Sequence, residues 1–166
     1  MNVKGLIFQM LTILIMVTSC ADSATQSQNE GKTSETKIVD ASNLKTGWYY
    51  MRNQEDEQTV KMPLMGTTET YLIDPDPIVT TQHVEEASIS ETFNIKGIKI
   101  QLNDKGKERW SAATAAHTNQ YFGVVMNGQL INRMRIAAQD NFGNASFALH
   151  KVEEDRLHEV VAAFKE

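Results

Sequence analysis

Apolar residues along this chain fall into three regimes. They form a nearly unbroken run from Gly5 to Val17, all but vanish from residue 21 to about 43, and recur with the periods of folded structure beyond Gly47. In that last stretch Trp48, Tyr49, Tyr50 and Met51 make an aromatic run suited to a pleated surface and predict a strand. Thr59 to Leu64 and Glu69 to Ile73 predict two more. Asp74-Pro75-Asp76-Pro77 predicts a break, because each proline fixes φ and removes an amide donor. Thr80 or Thr81 is then expected to cap a short helix through Ala87. Ile95 to Leu102 alternates, with Lys96, Ile98, Ile100 and Leu102 as the inner face of a strand.

Asn103 or Asp104 is the expected cap of a helix from about Lys105 to Thr118, with Trp110, Ala113, Thr114 and His117 as its inner stripe. Tyr121 to Met126 and Gln129 to Ala137 flank Asn127-Gly128, a strong hairpin signal. Gly143 to Leu149 reads as a further strand. A last helix from about Val152 carries Glu153, Glu154 and Asp155 at its positive end and Leu157, Val160, Val161 and Phe164 as its apolar stripe. Strands interspersed with two main helices predict an α+β fold: a ferredoxin-like-type antiparallel or mixed sheet with both helices on one face.

The two earlier regimes read as export and tethering. Lys4 precedes an apolar run too short for a membrane span of about 20 residues but of the right length for a signal sequence. That run ends in Val17-Thr18-Ser19-Cys20, which looks like a bacterial lipobox. The expected organisation is a signal peptide over 1–19, a lipidated Cys20 and flexible tether over 20–44, and one domain over 45–166. Acylation at Cys20 would hold the protein to a lipid bilayer in the bacterial envelope, inner or outer membrane left open, each buried methylene contributing about 0.8 kcal/mol. A free thiol is the competing reading of Cys20. The Ser-, Thr-, Gln- and Asn-rich stretch cannot bury enough surface to offset ordering, and about 23 such residues reach on the order of 25 Å.

Charge and cysteine count remove several function classes. The formal charge of the 166-residue chain is -5. Losing residues 1–19 removes Lys4 alone, leaving 15 basic and 21 acidic residues and a charge of -6. That sign argues against nucleic acid as a partner. One cysteine permits neither an internal disulfide nor a cysteine zinc site.

Four histidines occur, His83, His117, His150 and His158, with no helical zinc-binding spacing among them. Asp74 and Asp76 read as carboxylates on a rigid loop facing water, and Glu85 and Glu86, adjacent in the expected helix, diverge by about 100°. No nucleophile elbow, phosphate loop or dinucleotide fingerprint is present. Neither a catalytic residue nor a cofactor is therefore expected. Asn144-Ala145-Ser146 matches a glycosylation acceptor by chance composition. Arg133 and Arg135 share one face of a strand in an acidic protein. They are expected either to pair with nearby carboxylates or to mark a partner-binding patch, arginine being enriched at interfaces.

The strand and turn Ile98-Lys99-Ile100-Gln101-Leu102-Asn103-Asp104-Lys105-Gly106, then Trp110, Thr114 and the hairpin from Gly123 through Asn127-Gly128 to Ile131, resemble the head of the first periplasmic domain of SecD and SecDF. Tyr71-Leu72 through Pro77-Ile78-Val79-Thr80, the expected Val84 to Ala87 helix, and the closing Gly143 to Phe147 strand with its helix extend the resemblance over roughly residues 47–165. Asn127 stands where that family usually has Asp, and Met134 where it commonly has Pro. The resemblance implies a non-catalytic head module, held at the membrane, that binds an extended polypeptide or an envelope protein through a strand edge or groove. It implies no export motor, since the family's membrane-spanning helices have no counterpart here. An envelope hydrolase using His83, His117, His150, Asp74 and Asp76 is the competing enzymatic reading, and an immunity-type protective lipoprotein the third.

Overall fold

The computed structural model describes residues 40–92, 95–149 and 153–166. Cys20, the signal and most of the tether, and His150 lie outside the described residues. Eight strands are present: β1 (Gly47–Arg52), β2 (Val60–Pro63), β3 (Thr70–Thr80), β4 (Val84–Thr92), β5 (Ile95–Leu102), β6 (Tyr121–Met126), β7 (Gln129–Arg135) and β8 (Phe147–Ala148). The two helices are α1 (Asp104–Ala116) and α2 (Glu154–Ala163). The α+β class holds, with the strands divided between two antiparallel sheets. One has the order β2-β3-β1-β6-β7 and the other β4-β5-β8.

Alternation explains both faces of β1. Trp48 and Tyr50 point to the main core and Tyr49 and Met51 to a second one. The main core joins the inner faces of both sheets to both helices, through Val79, Phe122 and Val124 from one sheet, Ile98, Ile100 and Leu102 from the other, Trp110 on α1, Leu157 on α2 and Phe164 at its C-terminal cap. The second core contains Tyr49, Val60, Met62, Ile73, Val125 and Leu130. It forms because the five-stranded sheet curls until its outer strands meet, where Leu64 bridges Leu130 and the Met65 N–H donates to the Leu130 carbonyl at 2.9 Å. Tyr49 inside this curl donates its hydroxyl to the Lys45 carbonyl at 2.6 Å, and burial pushes its pKa up to about 12.

Four expectations need correction. Asp74 to Pro77 does not break the chain but runs inside β3. On one side β2 reaches only Ile73, and on the other a bulge between Tyr49 and Met51 takes up the extra residues, so neither proline has to donate to a full ladder. Val84 to Ala87 is strand, not helix. Only Thr81–His83 turns helically, and from Val84 the chain pairs with β5, so tertiary pairing overrides local preference. The strand expected over Gly143–Leu149 shortens to Phe147–Ala148, because Gly143 and Ser146 instead accept from Leu102 N–H and Ile100 N–H at 3.0 Å each. Finally, Ala41–Asn43, read as the end of a tether, is a 3-10 turn capped by Asp40, and the following Leu44 is buried in the second core.

Other boundaries fall close to expectation. Asn103 caps α1, its side chain accepting from Gly106 N–H at 3.0 Å, and Trp110, Ala113 and Thr114 are buried. Asn127 and Gly128 adopt φ of 48° and 74°, the left-handed pair that a tight hairpin requires. Gly128 has a second constraint, since a Cβ there would lie 2.8 Å from Ser42 Cα and 2.9 Å from the Ala41 carbonyl oxygen. Gly128→Ala should therefore cost more than about 1 kcal/mol, while Asn127→Gly should be nearly neutral. Urea unfolding of the two variants checks the difference.

Candidate functional site

The residues singled out for chemistry are tied up separately. His83 closes the turn after β3, its Nδ1 accepting from Thr80 N–H at 3.1 Å. Burial, helped by the nearby charges of Arg109 and Lys105, lowers its pKa below the usual histidine value. The His117 ring stacks on Tyr50 with centroids 4.4 Å apart and bonds Gln120 at 2.8 Å. Asp74 does not face water as expected. It is held by Arg52, whose Nε donates to it at 3.0 Å, and its other oxygen accepts from Asp76 N–H. His158 is exposed on α2. Among the described residues no group of three His, Cys, Asp or Glu side chains is placed to hold a metal. Of the surface clefts formed by described residues, three have neither a histidine nor an acid in their lining.

Two surfaces remain as candidates for recognition. The first is the open side of β4. Of the sheet borders, β2 and β7 close on one another at Leu64 and Leu130, and β8 has two residues. β4 has nine residues, pairs with β5 on one side, and has no strand on the other among the described residues. Glu85, Glu86 and Glu91 are exposed along it. The turn that swings the chain into β4 is secured from behind: Asn103 N–H donates to the His83 carbonyl at 2.9 Å, and a Cβ on Gly106 would come within 2.7 Å of that same oxygen.

The second surface holds Arg133 and Arg135 on β7. Neither pairs with a carboxylate among the described residues, in contrast to the first of the two expectations. The Arg133 guanidinium carbon lies 5.0 Å from the ring centroid of Tyr71 on β3 and 5.0 Å from that of Tyr121 on β6. Both fall within the range of an attractive cation–π contact. Tyr71 is fixed in turn by donating its hydroxyl to Glu69, a bond that raises its pKa. Arg135 donates to Asn119 Oδ1 at 3.0 Å. The strand alternation made this arginine pair visible in the sequence. The tyrosines, 62 and 12 residues from Arg133 in the chain, were not legible as its partners, because only the curl of the sheet brings Tyr71 to β7.

This geometry defines an α+β domain in which two antiparallel sheets and two helices share one core, with an open edge on one sheet and an arginine–tyrosine cleft on the other. The chain belongs to the SecDF P1 head subdomain family, whose sequence model matches residues 56–150, more than half of its length. Two solved structures share the fold. One, of the membrane component SecDF that enhances protein export, superimposes with a TM-score of 0.52 at 12% identity, covering 73% of this chain and 63% of that one. A crystal structure of SecDF in a super-membrane-facing form gives a TM-score of 0.50 at 13% identity over 54% of this chain and 12% of that one. The chain thus spans less than two thirds of either. No curated protein sequence matches it. Among the described residues no helix is long and apolar enough to cross a membrane.

The histidine at the β3–β4 turn makes stability depend on pH. Its folded pKa lies below the unfolded value of about 6.5, so the unfolded chain binds more protons as pH falls through that window. The contribution of neutral His83 is fully present above about pH 6.5 and declines below it. Urea midpoints measured from pH 5 to 7.5 should fall with acidification in the native protein, and this part of the slope should flatten in His83→Gln.

Proposed function

We propose that this protein is a lipid-anchored component of the bacterial envelope whose head domain binds polypeptide and catalyses no reaction. One observation carries the reading: in a domain of the SecDF head family, the nine-residue strand β4 has an edge that pairs with no strand among the described residues. An extended segment adding there would gain main-chain hydrogen bonds at little cost in sequence specificity. The SecDF named above as enhancing protein export supports placing the binding event at the envelope. The lipobox-like Val17-Thr18-Ser19-Cys20 supports anchoring through acyl chains on Cys20, and the polar stretch after it supports a tether that lets the domain stand off the bilayer. Arg133 and Arg135 are the side chains assigned to a partner on the other sheet.

Two measurements test this on the full-length lipoprotein. Intact-mass analysis should find Cys20 carrying a diacylglyceryl thioether and an N-terminal acyl chain, and Cys20→Ser should move the protein from the membrane to the soluble fraction. The protein in nanodiscs should bind an unfolded polypeptide, and N-methylation of alternate amides in a short extended peptide should abolish binding at the β4 edge. Equal binding of methylated and unmethylated peptides would rule out strand addition.

A further inference from the structure

We propose that the cleft around Arg133 is a carboxylate-binding site that takes the side chain of a glutamate or aspartate in a bound polypeptide. The proposal rests on assigning the Arg133 face to a partner and is independent of strand addition at β4.

The cleft, about 390 Å³, is lined by Met51, Arg52, Asn53, Tyr71, Asn119, Gln120, Tyr121 and Arg133. Its charge is one-sided. Arg133 has five N–H donors, and none of them has an acceptor among the described residues. Asn119 gives its carbonyl oxygen to Arg135, which leaves its amide NH2 to donate. Arg52 is neutralised by Asp74, so Arg133 is the cation the cleft offers. A guanidinium with no carboxylate partner among the described residues calls for an anion, and its planar fork matches the two oxygens of a carboxylate.

The two rings do more than fill space. An unrestrained arginine loses rotamer freedom when it engages a ligand. Contacts to Tyr71 and Tyr121 hold the guanidinium in place beforehand, so less is lost on binding. Beside the cleft, Gly123, the partner of Arg133 across the β6–β7 pair, lets the second core pack directly over its backbone. A Cβ there would come within 2.9 Å of Leu130 Cδ1 and 3.0 Å of Ile73 Cδ1.

Shape and field favour an acidic side chain over a phosphate. Met51 and the two rings give an apolar wall suited to the methylenes of glutamate, which inorganic phosphate lacks. A protein of net charge -5 repels a polyanion such as an anionic lipid surface, whereas one carboxylate on an otherwise neutral or basic peptide approaches with little penalty.

The test uses the full-length lipoprotein in phosphatidylcholine nanodiscs. Two peptides differing by a single Glu→Gln exchange are titrated by fluorescence anisotropy, and N-acetylglutamate amide and N-acetylglutamine amide are titrated while the arginine Nε–H resonances are followed by NMR. The Glu peptide should bind about tenfold tighter, as charge-assisted hydrogen bonds to one carboxylate allow. The Arg133 signal should move with N-acetylglutamate amide and not with the glutamine analogue. Arg133→Gln should erase the preference, Arg133→Lys should retain part of it, and Tyr121→Leu should weaken it, with thermal melts showing each variant folded.

A Glu preference that survives Arg133→Gln would overturn the proposal, as would displacement by inorganic phosphate or phosphatidylglycerol vesicles at lower carboxylate-equivalent concentrations. Peptide binding with no Glu preference would remove this site and leave the polypeptide reading standing. An Arg133 shift with the small carboxylate, but no binding of any peptide, would keep the anion site and end the polypeptide reading.

Discussion

Burial of the Trp48 ring holds the two halves of this fold together. The sheets are separate hydrogen-bonded ladders, so side-chain packing has to unite them. Trp48 sits on the central strand of the larger sheet, fully buried, and its ring meets Trp110 of α1, Phe147 of β8 and Phe164 at the C-terminal cap of α2 at centroid distances of 6.0, 6.2 and 4.9 Å. The first two contacts are edge-to-face, a geometry worth about 0.5–1.5 kcal/mol per pair beyond burial itself. Its Nε1 is the buried side-chain polar atom without a hydrogen-bond partner among the described residues. Leaving such a group unpaired costs about 1–3 kcal/mol. The ring is retained because it spans four elements at once, which outweighs that cost. Polar links across the sheets are few, one being Asn132 Nδ2 to the Ala148 carbonyl at 2.5 Å.

Because one face of the larger sheet is committed to Trp48 and its neighbours, the other has to be covered separately. The sheet does this by curling on itself. Tyr49, Met62, Ile73 and Leu130 fill the curl, and the Leu64–Leu130 bridge closes one end of it. The Arg133 cleft belongs to the same curl. The strand pairing that buries Ile73 also carries Tyr71 toward β7, so the position of the guanidinium follows from the second core and not from any loop. Sites built on paired strands are held more closely than sites on loops.

Much of this was legible where local chemistry and tertiary fold agree. Asn127-Gly128 needs left-handed backbone and occupies it; Asn103 was positioned to cap α1 and does; the even-numbered residues from Ile98 to Leu102 face inward as alternation required. The failures share one cause, which is that a partner distant in sequence decided the outcome. Val84-Glu85-Glu86-Ala87 carries no marked period over so short a span, and only pairing with Ile100 and Leu102 makes it strand. Pro75 and Pro77 argue against a strand unless one knows that β2 stops at Ile73 and that β1 bulges opposite them. The same holds at the candidate sites. The arginines were visible as a pair on one face, but their tyrosine and asparagine neighbours come from other strands and turns. The enzymatic alternative required two or more of His83, His117, His150, Asp74 and Asp76 to converge in a cleft; His83 and His117 are engaged in separate local bonds, Asp74 is held by Arg52 and the Asp76 N–H, and His150 lies outside the described residues.

Under the proposed polypeptide-binding reading, the charge pattern ties the two candidate surfaces together. An exposed strand edge invites pairing with any other edge, its own copy included. On β4 the residues Glu85, Glu86 and Glu91 line that edge, so two copies brought edge to edge would set carboxylate against carboxylate. Self-association is discouraged while the main-chain donors and acceptors stay free, and a neutral or basic segment meets no such opposition. The cleft at Arg133 has the opposite sign, with an uncompensated cation among donors in a protein whose net charge is negative. A polypeptide that carries mixed charge would satisfy both surfaces, whereas a uniform polyanion is repelled by one and a uniform polycation by the other. On that reading, discrimination would arise from placing unlike charges on separate sheets, and it would need no catalytic group to operate.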